Sequence, residues 1–332
     1  MDYLNKLRNL FETTPFGARV LDVATDNPIY RSYVYYLFNK KLKRIVSTRT
    51  YNFAIETSSF CNANCTFCPN SKIKRQKNNM SMEIFNKMIE RIKEEKITPH
   101  QFNLAGTGEP LIDKNIFEKV RLLRKNFPKT ILFFPTNLGL ATAEIRKKMV
   151  ESELDNISVS LNANTAEDYK KIMRLDFETT INNLEALIEL RNNTKSKLKI
   201  NLKVAANPIN QDSIKDFIKR WENKVDSIGI SWIHSWAGAV SNGAKPKRIV
   251  RYPCRVLFEQ IVIQSNGNVP LCCVDYEGFV VGGNVMTHKI LDAYNGPDIK
   301  KIKDMHISGQ IDKIKMCSHC RMSERGLNWL VP

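Results

Sequence analysis

Beyond residue 50 the chain alternates between short apolar runs and longer stretches in which apolar residues return every three or four positions. The short runs, at 53–56, 102–105, 130–134, 157–161, 198–205 and 227–233, are rich in branched and aromatic residues and predict strands. The stretches between them predict helices. One starts after Ser81, a good N-cap because its hydroxyl can accept an orphaned backbone N–H, and sets Phe85, Met88, Ile89 and Ile92 on one face. Others start near Lys114, Thr142, Thr165, Thr179 and Ser213. Six strand-helix repeats with right-handed crossovers predict a parallel α/β sheet. Later, an apolar run at 258–263, a turn at Ser265-Asn266-Gly267-Asn268 and a second run at 269–271 predict a β-hairpin, since Asn and Gly tolerate the positive φ such loops need.

A chain of 332 residues exceeds the usual single domain, so two domains, or one large barrel with additions, are expected. Eight cysteines and five histidines are few for a secreted disulfide scaffold. The start has no charged n-region leading into an apolar h-region, and no apolar stretch approaches a bilayer-spanning length. The expected compartment is the reducing cytoplasm, where thiolates persist as metal ligands. The net charge of +17 suits an anionic substrate, nucleic acid or an acidic membrane surface. It equally suits a lysine-rich proteome, and no basic run exceeds a few positions, so nucleic acid is not an expected partner.

Candidate chemistry begins just past the first strand, at Cys61, Cys65 and Cys68, spaced C-x3-C-x2-C. Three thiolates can hold three corners of a [4Fe-4S] cubane and leave the fourth iron open to a small molecule. Zinc would want a fourth ligand, and residues 56–79 hold no histidine and no further cysteine. A second motif, Gly106-Thr107-Gly108-Glu109-Pro110, ends the second apolar run, with a predicted helix between it and the cysteines. Alone it would be an ordinary turn. Together the cysteine triad, Phe67 before its last cysteine and the Gly-Glu segment resemble the signature of the radical S-adenosylmethionine (SAM) superfamily.

The resemblance implies SAM bound to the open iron through its amino and carboxylate groups. It also implies that Thr107, Gly108 and Glu109 hold the methionine amino group through backbone carbonyl and carboxylate oxygens, with Thr107 in place of the family's first glycine. The sheet is then expected to curl into a partial (β/α)6 barrel of the radical SAM type, with the active site at the carboxyl ends of the strands. Those ends carry Asn137 after the third strand, Ser160 and Asn162 after the fourth, Asn207 after the fifth, and His234 and Trp236 after the sixth. By resemblance Ser160 and Asn162 contact the SAM ribose and carboxylate, and Asn137 is a further SAM contact. The alternative is that Asn137, Asn162 and Asn207 only terminate strands through their turn chemistry.

The other five cysteines all lie at or beyond residue 254. In the set Cys254, Cys272, Cys317 and Cys320, a C-x2-C pair joins two widely separated thiols. This would close a second cluster with no open iron; a structural zinc site fits the same spacing. The arrangement resembles the SPASM/twitch auxiliary-cluster module in its single-cluster form, as do the runs 272–278 and 282–285. Its cysteine spacing is similar to that of the radical SAM dehydrogenase of aminocyclitol antibiotic biosynthesis. The implied layout is a helical extension at 1–50, a barrel at 51–240 and a small α+β cluster-binding domain at 250–332. Cys273 is left over, either as a hydrogen-atom donor of the kind radical epimerases use or, the favoured reading, as a small soft side chain packed beside the cluster. His319 reads as a neighbour of the cluster rather than a ligand.

In the first fifty residues, Leu4, Leu7, Leu10 and Phe11 suit a short amphipathic helix. From Tyr30 onward, aromatics mix with Lys40, Lys41, Lys43 and Arg44. Such a segment can hold nucleic acid, a membrane surface or an acidic carrier. The expectation is that it packs its aromatics on the barrel and leaves its lysines in water.

The resemblance implies that an electron from a donor such as flavodoxin or ferredoxin cleaves SAM to methionine and a 5'-deoxyadenosyl radical, which removes hydrogen from an unactivated C–H bond. On a hydroxyl-bearing carbon, loss of a proton then makes a reducing ketyl whose electron the auxiliary [4Fe-4S] cluster accepts. Oxidation of a hydroxyl carbon in a sugar- or cyclitol-like small molecule is the leading expectation, by analogy, with His234, Lys203 and Arg174 as base candidates by position. A ribosomal-peptide maturase competes, although residues 1–50 are short and helical for a peptide-recognition domain. A radical epimerase using Cys273 also competes. An iron-sulfur electron-transfer or RNA-binding protein would have no need of the Gly-Glu segment.

Overall fold

The computed structural model describes residues 23, 25–233, 235–240, 250–318 and 320–323. Leu4, Leu7, Leu10, Phe11, His234 and His319 lie outside the described residues. Each of the six apolar runs is a strand: β1 (Thr50–Ile55), β2 (Thr98–Asn103), β3 (Ile131–Thr136), β4 (Asn156–Ser160), β5 (Lys199–Ala206) and β6 (Ser227–Trp232). A seventh, β7 (Gln260–Ile263), completes a parallel sheet in the order β6-β5-β4-β3-β2-β1-β7.

Helix α1 (Pro28–Thr48) precedes the sheet. The crossovers carry α2 (Met82–Glu94), α3 (Ile116–Asn126), α4 (Ala143–Glu151), α5 (Ala166–Met173), α6 (Phe177–Asn193) and α7 (Ile214–Trp221). Ser81, Thr142 and Thr165 cap as the sequence predicts, each hydroxyl accepting from the backbone N–H three residues on. Helix α6 starts ahead of Thr179 because the Asp176 carboxylate is its cap, accepting from Thr179 N at 2.7 Å. Among the described residues no helix is long and apolar enough to cross a membrane.

Strand alternation separates two faces. Phe53, Phe102, Leu132, Ile157, Leu202 and Ile261 point one way and form a single core with the helices, including Phe85, Met88, Ile89 and Ile92 of α2. The opposite alternation, in register across the strands, carries Asn52, Asn103, Asn156, Ser158, Ser160, Asn201, Lys203 and Gln260. Helices that share one core with one face of a parallel sheet are the arrangement of a barrel rather than of a two-sided sheet, so the α/β partial-barrel expectation holds.

The predicted hairpin is corrected. Its turn exists, with Gly267 at φ +86° and its N–H donating to Gln264 O at 2.8 Å. Its arms, however, join different sheets. β7 lies parallel to β1, with Ile261 opposite Phe53 and Ile263 opposite Ile55, whereas β8 (Asn268–Pro270) pairs antiparallel with β9 (Val281–Asn284). Ile261, Val262 and Ile263 are all buried, and the open edge of β1 provides apolar cover that a three-residue strand cannot.

The rest of the C-terminal module comprises α8 (Arg255–Glu259), α9 (Ile290–Tyr294) and α10 (Pro297–Ile307). Helix α1 packs chiefly on this module, correcting the expectation that it covers the barrel. Its Val34 and Phe38 share a second core with Tyr252, Leu257, Phe258 and Ile299, the Phe38 and Phe258 rings 5.0 Å apart. Only its buried Ile45 joins the main core. Lys40, Lys43 and Arg44 are exposed, and Lys41 pairs with Glu259 at 3.0 Å.

Candidate functional site

From the end of β1 the chain runs through buried Glu56, Thr57, Ser58 and Ser59 into the loop carrying Cys61, Cys65 and Cys68. That loop is pinned from several sides. Cys68 N donates to Cys65 O at 3.1 Å, Thr66 N to Ile172 O at 2.9 Å, and Trp236 Nε1 to Phe67 O at 2.9 Å. Cys65 Sγ lies 3.5 Å from Met173 Sδ. Burial pushes all three thiols up, Cys61 to about 11, so metal binding would have to displace their protons.

The Gly-Glu segment presses against this loop. A Cβ on Gly108 would stand 2.1 Å from Ser58 O and 2.6 Å from Phe60 O, so only glycine fits. Glu109 N donates to Phe60 O at 2.8 Å. Glu109 is buried, its carboxylate accepting from Thr136 Oγ1 at 2.7 Å, Asn137 N at 2.9 Å and Leu111 N at 3.2 Å. Burial outweighs those donors and raises its pKa to about 7. Asn137 Nδ2 reaches Asn62 Oδ1, between the first two cysteines, at 2.9 Å, while its Oδ1 accepts from Gly139 N at 2.8 Å. Turn chemistry and contact with the cysteine loop therefore coexist in Asn137.

The remaining strand-end residues divide. Asn162 Oδ1 accepts from Ala205 N at 2.7 Å and its Nδ2 donates to Met173 Sδ at 3.0 Å, so both ends of the amide brace the protein itself. Asn207 folds back on Ile209 N and Ala205 O, which is turn chemistry. Ser160 is half-buried and registers with Lys203, which is exposed and lies against Gly229. Arg174 is exposed at the end of α5.

Sequence reasoning missed the buried ion pair beside this site. Arg75 Nη2 contacts both Glu56 oxygens, at 2.8 and 2.7 Å, and its Nε donates to Tyr276 O at 2.9 Å. Glu277 accepts from Arg75 N at 2.6 Å and Lys74 N at 2.9 Å, and Glu56 accepts from Ser265 Oγ at 2.9 Å and Thr107 Oγ1 at 3.2 Å. Cysteine loop, Gly-Glu segment and C-terminal module thus meet at one carboxylate.

Cys254, Cys272, Cys273, Cys317 and Cys320, from three separate segments, line one cavity together with His306. Cys273 is the exposed member. Burial pushes Cys254, Cys272 and Cys317 upward, Cys317 to about 12, and holds His306 down near 4. His306 was also missed, although it follows Ile299 and Ile302 at helical spacing on α10.

The Radical SAM superfamily model matches residues 55–228, and the SPASM model, an iron-sulfur cluster-binding domain, matches residues 254–321. The chain is 26% identical over 203 residues to the probable dual-specificity RNA methyltransferase RlmN of Streptococcus gordonii, covering 57% of this chain and 54% of that protein. It thus spans about half the length of that curated relative. The crystal structure of BtrN in complex with AdoMet and 2-DOIA is similar at TM-score 0.59 and 18% identity, over 82% of this chain and 93% of that one. Streptococcus suis SuiB bound to precursor peptide SuiA is similar at TM-score 0.56 and 15% identity, over 86% and 73%. At these identities the structural likenesses concern the fold. The family matches imply SAM and iron-sulfur clusters as cofactors. With its first match covering more than half of its length, the chain belongs to the radical SAM superfamily of enzymes and carries a SPASM-type cluster-binding domain.

Proposed function

We propose that this enzyme is an oxidoreductase that converts a hydroxyl carbon of a polar, sugar- or cyclitol-like small molecule to a ketone. The reading rests above all on the convergence of Cys254, Cys272, Cys317 and Cys320 on one cavity, a donor set for a second [4Fe-4S] cluster able to accept an electron. It is supported by the polar sheet face carrying Asn, Ser, Gln and Lys side chains, and by the fold likeness to BtrN, whose crystal structure holds AdoMet and 2-DOIA. When bound, SAM and the first cluster supply a hydrogen-abstracting radical, and the second cluster supplies an acceptor for one electron.

Cys61, Cys65 and Cys68 hold the open-site cluster in this reading. Thr107, Gly108 and Glu109 hold the SAM amino group, with the buried Glu109 carboxylate as its anionic partner; Phe67, Asn137, Ser160 and Asn162 complete the SAM surroundings. The substrate would give one hydrogen atom to the 5'-deoxyadenosyl radical, forming 5'-deoxyadenosine, one electron to the second cluster and its hydroxyl proton to a base. Lys203, on the polar face opposite Ser160, is the candidate for that proton. The proposed partition is an extension at 1–50, a barrel at 51–240 and a cluster module at 250–332. A flavodoxin or ferredoxin serves as reductant, in the cytoplasm.

A radical epimerase is the second reading, favoured by the exposure of Cys273 at the same cavity. It would retain the alcohol, place one solvent deuterium on the inverted carbon and fail in Cys273→Ala.

The test is anaerobic purification and reconstitution, with iron and sulfide counted in wild type and in the Cys61/Cys65/Cys68 triple-alanine variant. About eight irons in wild type and about four in the variant are expected. With dithionite and SAM, only wild type should form 5'-deoxyadenosine, and with a polyol or aminocyclitol panel it should form one ketone per deoxyadenosine. Zinc at the C-terminal set would remove the electron acceptor and with it the dehydrogenase. Absence of the first cluster would overturn the reading altogether.

A further inference from the structure

His306 exposes none of its surface, and its ring stands edge-on to Phe258 at 6.4 Å. Its two nitrogens reach two different cysteines of the cavity. Cys254 N–H donates to Nδ1 at 3.2 Å, and Nε2 lies 3.3 Å from Cys317 Sγ. These contacts fix the tautomer of the neutral ring. An accepting Nδ1 carries no proton, so the one N–H is on Nε2 and points at the Cys317 sulfur.

We propose that His306 is a positioning residue for the auxiliary cluster, giving its Nε2–H to the Cys317 thiolate and thereby raising that cluster's reduction potential. This rests on the oxidoreductase reading, in which the cluster at Cys254, Cys272, Cys317 and Cys320 accepts an electron. A hydrogen bond to a ligand sulfur withdraws charge from it and favours the reduced, more negative cluster; such bonds are among the protein's levers on iron-sulfur potentials. The His306 ring is fully buried, so water does not compete for its N–H. The same ring spans ligand segments at Cys254 and Cys317 and so fixes their relative placement. For an enzyme that must take an electron from a substrate radical, the effect has the useful sign.

The Cys61/Cys65/Cys68 triple-alanine protein isolates the auxiliary cluster, whose reduction is followed by electron paramagnetic resonance during a potential titration. In that background His306→Gln keeps an N–H donor, and His306→Phe fills similar space with none. All three proteins should hold about four irons. The midpoint potential should be lowest in the Phe variant, with Gln between it and the parent. A proton coupling that disappears in D2O should be present in the parent and absent from the Phe variant. If the Phe variant does not load, the Gln variant decides: full iron, a potential below the parent's and a retained exchangeable coupling support the proposal, and an unmoved potential overturns it.

An unmoved potential in a fully loaded Phe variant would overturn the role of His306 while leaving the oxidoreductase reading intact. So would loss of iron from both variants, or direct nitrogen coupling showing His306 bound to iron. A parent without any cluster would overturn both.

Discussion

Glu109 is buried with three hydrogen-bond donors and, among the described residues, no salt bridge, and burial holds its pKa near 7. A carboxyl whose folded pKa is raised binds its proton more tightly in the folded state. Its contribution to stability is therefore full below the unfolded pKa, about 4.3, and is lost as pH rises through 7. An N–H donor polarised by bound iron reverses the local preference, since a hydrogen bond to the charged form favours the ionised carboxylate. If Glu109 takes the SAM amino group, SAM affinity should fall by up to roughly tenfold per pH unit below 7 and level off above it. Glu109→Gln should bind more weakly above pH 7 and lose that dependence. Anaerobic calorimetry across the range checks both, and an unchanged slope in the Gln variant would remove Glu109 from the SAM contact. His306 was within reach of the sequence, because helical spacing places it on the buried face of α10; what it touches was not.

Arg75 belongs to the connection between β1 and α2 yet is held by Glu56, which follows β1, and by Glu277 and Tyr276 of the C-terminal module. The Arg75 and Glu56 side chains are only 10% and 4% exposed. Removing one partner of such a pair strands the other charge, so Arg75→Met should cost about 3–5 kcal/mol in urea unfolding. The double variant with Glu56→Gln should recover part of that loss, because no charge is then left alone. A loss near zero in the single variant would mean that water reaches Glu56.

None of this network was legible in the chain, where Lys72, Lys74 and Arg75 look like a solvated basic stretch. Strand positions and the caps Ser81, Thr142 and Thr165 were legible because their chemistry is local. The cysteine motifs were legible because ligand spacing is written in sequence. The partner of β7 was not, since a competent turn beside it satisfied the hairpin rule while its true neighbour lay far upstream. Asn162 and Asn207 are the same residue type at similar strand ends, and only their hydrogen bonds separate bracing from turn formation.

Helix α10 touches both cores, with Ile299 in the smaller one and Lys303 against Tyr294 of the main one, so the protonation of Lys303 bears on both. Lys303 is buried, its ammonium donating to Tyr294 O at 2.9 Å and Asn295 Oδ1 at 3.0 Å, without a carboxylate partner among the described residues. Burial holds its pKa near 7, well below the free value of about 10.4. Between those values the unfolded chain binds more protons, so stability should rise with pH, by up to about 1.4 kcal/mol per unit. Lys303→Met should flatten that rise and stabilise the protein at neutral pH, as urea midpoints measured against pH will show. An unchanged slope would mean that Lys303 is hydrated.

The position of β7 also reaches back to biosynthesis. β1 leaves the ribosome about 210 residues before its outer neighbour is made. At roughly 5–20 residues per second that interval lasts roughly 10–40 s, during which Phe53 and Ile55 lie along an unpaired sheet edge. Nascent chains of this enzyme therefore carry a sticky edge through most of their synthesis. Holdase binding to ribosome-bound chains should therefore fall once β7 has emerged and paired with β1.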